Sequence, residues 1–121
     1  MTQANLGKLT VEQLVSRFTE IGIAEDKAED DNAEYTRLFF LMDSIEEKLK
    51  SRPNDQRRAL MALYEHRNMH VRLMAAKATL AVAPQEARKL IESIANSRHF
   101  PQAGDAGMCL LMLDRGEFVP D

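Results

Sequence analysis

The sequence has one cysteine, no tryptophan and only 6% aromatic residues, and its longest apolar run is six residues, Met108 to Leu113. The lone Cys109 can close no internal disulfide. Six residues fall far short of the ~20 that a helix needs to cross a bilayer. Neither a basic segment nor an apolar stretch opens the chain at Met1-Thr2-Gln3-Ala4-Asn5, so a cytoplasmic setting is expected rather than a secreted one. A Lys/Arg stripe is missing too. With 16 Lys/Arg against 19 Asp/Glu and a pI near 5.6, the chain lacks the phosphate-neutralising surface on which nucleic-acid affinity mainly rests. Neither nucleic acid nor a membrane is an expected partner.

What is present is an ordinary globular composition, 45% apolar and 29% charged over 121 residues. That length reads as one domain, 1–121, able to bury roughly two thirds of its unfolded surface. The charge is unevenly placed: residues 1–50 carry a net −5 and residues 51–121 a net +2. Most of the acidity lies in an elbow where Glu25, Asp26, Glu29, Asp30, Asp31 and Glu34 surround a single Lys27.

Apolar spacing reads as helix throughout. Thr10 followed by Gln13 is a capping-box signature, and Val11, Leu14, Val15, Phe18, Ile21 and Gly22 then follow helical spacing. After the elbow, with Asp31 or Asn32 as cap, Tyr35, Leu38, Phe39, Met42, Ile45 and Leu49 draw the core stripe of a second helix. Glu46 and Lys50 read as an exposed pair near its end, and Pro53 stops it. Shorter helices are expected near 55–65, 69–82, 85–97 and 102–115, punctuated by Pro84, Pro101 and Gly116. No run of β-branched residues alternates with period two, so the fold is expected to be all-α with about six helices.

Laid on itself with a shift of 31 residues, the chain matches Pro53 to Pro84, Arg57 to Arg88, Arg67 to Arg98, Ala75 to Ala106 and Leu80 to Leu111. Each unit reads as proline, amphipathic helix, basic turn and a helix of small residues, the pattern of a helical-hairpin solenoid. The expected organisation is an N-terminal helical pair over 1–52, a hairpin over 53–83, a second and degenerate hairpin over 84–115, and a tail over 116–121. Ala75, Ala76 and Ala78, with Ala106, Gly107 and Cys109, are the positions expected to let the inner helices approach closely.

The segment from Met61 to Leu80, with Val71-Arg72 opening its second helix before Ala75, Ala76 and Ala78, resembles a HEAT repeat. In the second unit Gln102 and Ala103 stand where the Val-Arg pair would be. Over nearly the whole chain, including Leu9-Thr10-Val11-Glu12-Gln13-Leu14 and Ala75 to Pro84, the sequence resembles a small bacterial family, the domain of unknown function numbered two thousand and nineteen. That resemblance implies a short right-handed α-α superhelix of HEAT/ARM type and no established activity. By analogy of fold class alone, such small helical families also include immunity proteins of bacterial toxins.

Candidate chemistry is sparse. His66 and His70 are four apart but straddle the turn Arg67-Asn68, and they read as solvated turn residues rather than zinc ligands. Cys109 reads as inert core. Gly104 and Gly107 read as packing positions, Glu46/Glu47 as a solvated face and Asp30/Asp31 as the acidic start of a helix, rather than as acid–base pairs. No metal, cofactor or catalytic residue is expected. Two surfaces stand out. Phe40 lies roughly 170° around the helix from the core stripe, beside Asp43, Ser44 and Glu47, with Glu29, Asp30, Asp31 and Glu34 at the elbow to steer a basic partner. His66, Arg67, Arg98 and His99 are expected to form a basic rim along the turns. The leading expectation is a non-catalytic protein-interaction module, of immunity or regulatory type. The alternative is a small enzyme or ligand carrier with a pocket between the N-terminal helices and the first hairpin, lined by Tyr35, His66 and Arg72. The apolar Met108–Leu113 helix needs covering, either by the tail Phe118-Val119-Pro120 or by a second subunit in a homodimer.

Overall fold

A computed structural model describes residues 3–121. The described residues form α-helices and 3-10 helices with no strand, so the all-α class holds. In chain order these are η1 (Gln3–Lys8), α1 (Val11–Lys27), α2 (Asn32–Ser51), η2 (Gln56–Leu63), α3 (Met69–Thr79), α4 (Pro84–Ala95) and α5 (Gln102–Asp114). They gather into two units, Met1–Ala59 and Leu60–Asp121.

In the first unit the capping box forms. The Thr10 hydroxyl accepts the Gln13 amide at 3.1 Å, and the Thr10 amide donates to Gln13 Oε1 at 2.8 Å. That satisfies two of the amides a helix start leaves without partners. Asp31, rather than Asn32, caps α2 by accepting the Glu34 amide at 3.1 Å. α1 buries Leu14, Phe18, Gly22 and Glu25, while α2, which packs against it, buries Leu38, Met42, Ile45 and Leu49. α2 ends at Ser51 because Arg52, preceding Pro53, is held extended at φ −70° and ψ 153°. The Arg52 guanidinium then reaches back to donate to the Leu9 carbonyl at 2.6 Å, fixing η1 against the end of α2.

Three expectations are corrected in this unit. Phe39 is not core but 54% exposed, because the buried row at 38, 42, 45 and 49 leaves position 39 a further 100° around the helix. Glu25 is not part of a solvated elbow: α1 runs on to Lys27, and Glu25 extends the buried row of Leu14, Phe18 and Gly22. Glu46 is half-buried rather than exposed.

The helix expected near 55–65 is a 3-10 helix. Asn54 and Asp55 take left-handed conformations before it, φ 66° and 49°, and Arg57, Leu60 and Leu63 are its buried positions. Their spacing of three is the 3-10 period itself, in which residues i and i+3 eclipse.

In the second unit Leu73, Ala76, Leu80, Ala87, Ile91, Ile94, Ala106 and Cys109 form one buried cluster. The small side chains of α3, Ala75 and Ala76 fully buried among them, admit close neighbours as expected. Asn68 caps α3 by accepting the Val71 amide, which places His70 in the first helical turn, buried rather than solvated. Pro84 starts α4, whose buried side of Ala87, Ile91 and Ile94 lies between α3 and α5. Arg88 bridges to Asp114 at 2.9 Å, pinning α4 to the end of α5. Gly104 and Gly107 are corrected as well: both are exposed and pack against no neighbouring helix.

The chain leaves α5 through Gly116 at φ 73°, and the Glu117 and Phe118 amides donate back to the Met112 carbonyl at 2.9 and 3.2 Å. Phe118 thereby packs on the core cluster. Truncation after Gly116 is expected to lower unfolding stability in urea by about 1–3 kcal/mol, the scale of a lost partly buried aromatic. Unchanged stability would show that the tail is not a cap.

Candidate functional site

The outward face of α2 carries most of what the sequence singled out. Phe40 is 60% exposed, and its ring meets that of Phe39 edge-on, centroids 5.4 Å apart and planes 87° from parallel. Adjacent helix residues diverge by 100°, so the two rings share an edge because neither is drawn into the core. One turn on, the Ser44 hydroxyl donates to the Phe40 carbonyl at 3.0 Å. From there an open groove of about 460 Å³ runs along the helix, lined by Asp43, Ser44, Glu47, Lys48 and Ser51, with Leu6 of η1 contributing. Helical spacing explains the grouping: positions 40, 44, 47 and 51 fall on one stripe. Chemically this is an aromatic pair leading into a groove with two carboxylates and one ammonium.

The elbow is only partly what its composition implied. Glu29, Asp30 and Asp31 are exposed at the α1–α2 turn, with Asp31 engaged as the α2 cap. Glu34, however, is held by Arg37 through two hydrogen bonds, 2.6 and 2.9 Å. The Arg37 hydrogen bond keeps its carboxyl below the usual carboxylate range. Arg37 lies three residues on and cancels the Glu34 charge, which leaves steering to Glu29, Asp30 and the groove acids.

The basic residues sit in two turns of the second unit. His66 and Arg67 precede α3, and Arg98 and His99 precede α5, Arg98 at φ 63°. Arg67, Arg98 and His99 are exposed and His66 is half-buried. His66 is occupied structurally: its Nδ1 accepts the Asn68 amide at 3.0 Å, and its carbonyl accepts from Arg72 Nε. Arg72, expected as a pocket liner, fastens the turn that precedes its own helix. Burial pushes the Cys109 thiol up despite Lys77 and Arg88 nearby, so it is protonated at neutral pH and a poor nucleophile. Among the described residues no group of three or more His, Cys, Asp and Glu side chains could hold a metal ion, and no helix is long and apolar enough to cross a membrane.

Sequence reasoning missed an inner cluster of charge. Burial raises the Glu46 carboxyl to about 7, reinforced by Asp43 and, more weakly, by Glu47 and Glu25, while Arg57 opposes the shift. Glu25 is 1% exposed and Arg57 is buried, clasping Asp55 through Nε–Oδ1 at 2.9 Å and Nη2–Oδ2 at 2.7 Å. The signal for Glu25 was its helical register with Leu14, Phe18 and Gly22. For Arg57 it was the three-residue spacing to Leu60 and Leu63.

The chain is similar in sequence and fold to a known structure, the crystal structure of the protein RPA1889 from Rhodopseudomonas palustris CGA009. The two share 48% identity and a TM-score of 0.92, over 96% of this chain and 98% of that one. No curated protein matches. The model of a family described as a domain of unknown function, DUF2019, matches residues 12–114. Resemblance and match agree over most of the sequence, and the chain belongs to the DUF2019 family.

Proposed function

We propose that this protein is a non-catalytic binding module whose α2 face takes a basic protein segment. The observation that carries the reading is the pair Phe39 and Phe40, 54% and 60% exposed on a helix whose opposite side is fully committed to the core. A monomer gains nothing by keeping two large rings in water, and exposed aromatics set among charge are the usual anchors of interfaces. The adjoining groove supplies Asp43 and Glu47 for Lys or Arg side chains of the partner, and Glu29 and Asp30 would act at longer range on its approach. An immunity-type or regulatory role is the form such binding would take, with the inhibited protein presenting the basic segment. Catalysis has less support: this groove is open, and an acid–base or nucleophilic mechanism needs convergent groups shielded from water.

Phe40→Ala is expected to leave the melting temperature unchanged and to weaken capture of partners by roughly 1 kcal/mol or more. Charge reversal at Glu29 and Asp30 should slow association, with the effect fading as salt rises past physiological strength. A Phe40→Ala protein that melts several degrees lower yet captures the same partners would place the ring in the fold and move the search to the Arg67–Arg98 turns.

A further inference from the structure

On α5 the buried positions Gln102, Ala103, Ala106 and Cys109 occupy one side. The opposite side presents Gly104, Gly107, Met108, Leu111 and Arg115, all exposed. Met108 is 56% and Leu111 42% exposed, and Phe100, just ahead of the helix, is 70% exposed. Two glycines inside a helix weaken it relative to alanine, and the fold requires neither. Neither has a positive φ; a Cβ at Gly107 would meet nothing within 4 Å, and one at Gly104 would meet only the Phe100 ring, at 3.9 Å. Both leave the outer side of α5 open to close approach from outside the chain.

We propose that a second copy of this chain docks on this face, α5 against α5 in antiparallel orientation about a twofold axis passing between Gly107 and Met108. In that register Leu111 of one copy falls over the partner's Gly104, and Met108 lies beside the partner's Gly107, a protrusion over a depression in each case. A twofold axis requires such self-complementarity, since the same patch serves both copies. Charge selects the antiparallel sense. The turn before α5 is cationic at Arg98 and His-bearing at His99, whereas Glu117 and Asp121 follow the helix. Antiparallel pairing sets the Arg98 end of one copy against the Glu117 end of the other, and brings Arg115 over the partner's Phe100 ring. Parallel pairing would set like ends together. Asp114 is engaged by Arg88 at 2.9 Å, whereas Arg115 and Glu117 stand 4.0 Å apart and can turn to a partner.

A 13-residue helix is about 20 Å long, so the contact lies at the small end of specific interfaces, below ~1,200 Å². A reversible dimer at micromolar protein follows. Sedimentation equilibrium of the full chain across the micromolar range should show monomer–dimer exchange. Met108→Glu and Gly107→Leu should each raise the dissociation constant at least about tenfold. Arg98→Glu and Glu117→Arg should each weaken pairing, and the double variant should restore it. Gly104→Ala combined with Gly107→Ala separates pairing from folding: the dilute monomer should melt higher while the dimer weakens. Phe40→Ala should leave the equilibrium unchanged, which keeps this surface distinct from the one on α2. A chain that stays monomeric throughout overturns the proposal, even if α5 variants lose some other captured protein. So does a dimer that survives both Met108→Glu and Gly107→Leu.

Discussion

Replacing Glu46 by glutamine is expected to stabilise the protein at pH 8 by about 2 to 3 kcal/mol and to change little at pH 4. The carboxyl titrates near 7 in the folded chain against 4.5 ordinarily, burial being the main cause, followed by Asp43, with Arg57 opposing and Glu47 and Glu25 adding to the rise. Between those values the folded chain holds a proton that the unfolded chain has released. Stability therefore falls as pH rises from about 4.5 to 7 and stays lowered above that. Glutamine mimics the neutral acid at every pH and removes the slope. Glu34 and Asp55, whose carboxyls are lowered by Arg37 and Arg57, act in the opposite sense. Their contribution is complete above the ordinary carboxylate range and is lost as pH falls further, outside the Glu46 window. Urea unfolding of both proteins from pH 4 to 8 checks this. Parallel stability curves would show that Glu46 is solvated.

Arg57→Ala carries the other large effect, a loss of about 3 to 5 kcal/mol at pH 8. Its guanidinium is buried, forms two hydrogen bonds to Asp55, and is the cation acting on Glu46. Removing it takes from Asp55 its main hydrogen-bonding partner and from the half-buried Glu46 the cation that opposes its desolvation. Burying an ion pair contributes little net stability, but breaking one exposes the whole desolvation cost. The loss should shrink at pH 5, where Glu46 carries its proton. Adding Glu46→Gln should recover part of it at pH 8, and the non-additivity measures their coupling. A loss of the same size at both pH values, with purely additive variants, would reduce Arg57 to a packing residue.

Much of the fold was legible because it rests on local rules. The Thr10–Gln13 box, the Asp31 cap, the stop before Pro53 and the Pro84 start are each decided within four residues of chain. What escaped was decided by burial across elements. Glu25 was grouped with its acidic neighbours, although its helical register ties it to Phe18 and Gly22. Phe39 was assigned to the core because an aromatic beside Leu38 fits a stripe drawn too wide. The repeat alignment paired Arg57 with Arg88, yet one is buried against Asp55 in a 3-10 segment and the other lies on α4 reaching Asp114. Of the candidate site, Phe40 and its charged neighbours could be located from helical angle alone. Cancellation of Glu34 by Arg37 could have been read from their spacing. The groove beside Ser44 and Glu47 could not, since Leu6 of η1 reaches it from another element.

Photo-cross-linking from position 40, with Phe40 replaced by a photoreactive phenylalanine analogue, tests the α2 surface most directly. The expected product joins that position to a Lys- or Arg-rich segment of a partner, recurs when the probe is moved to Ser44, and declines as salt is raised. No product from Phe40 or Ser44, with products formed instead from probes at Arg67 and Arg98, would contradict the assignment and place the partner on the basic turns.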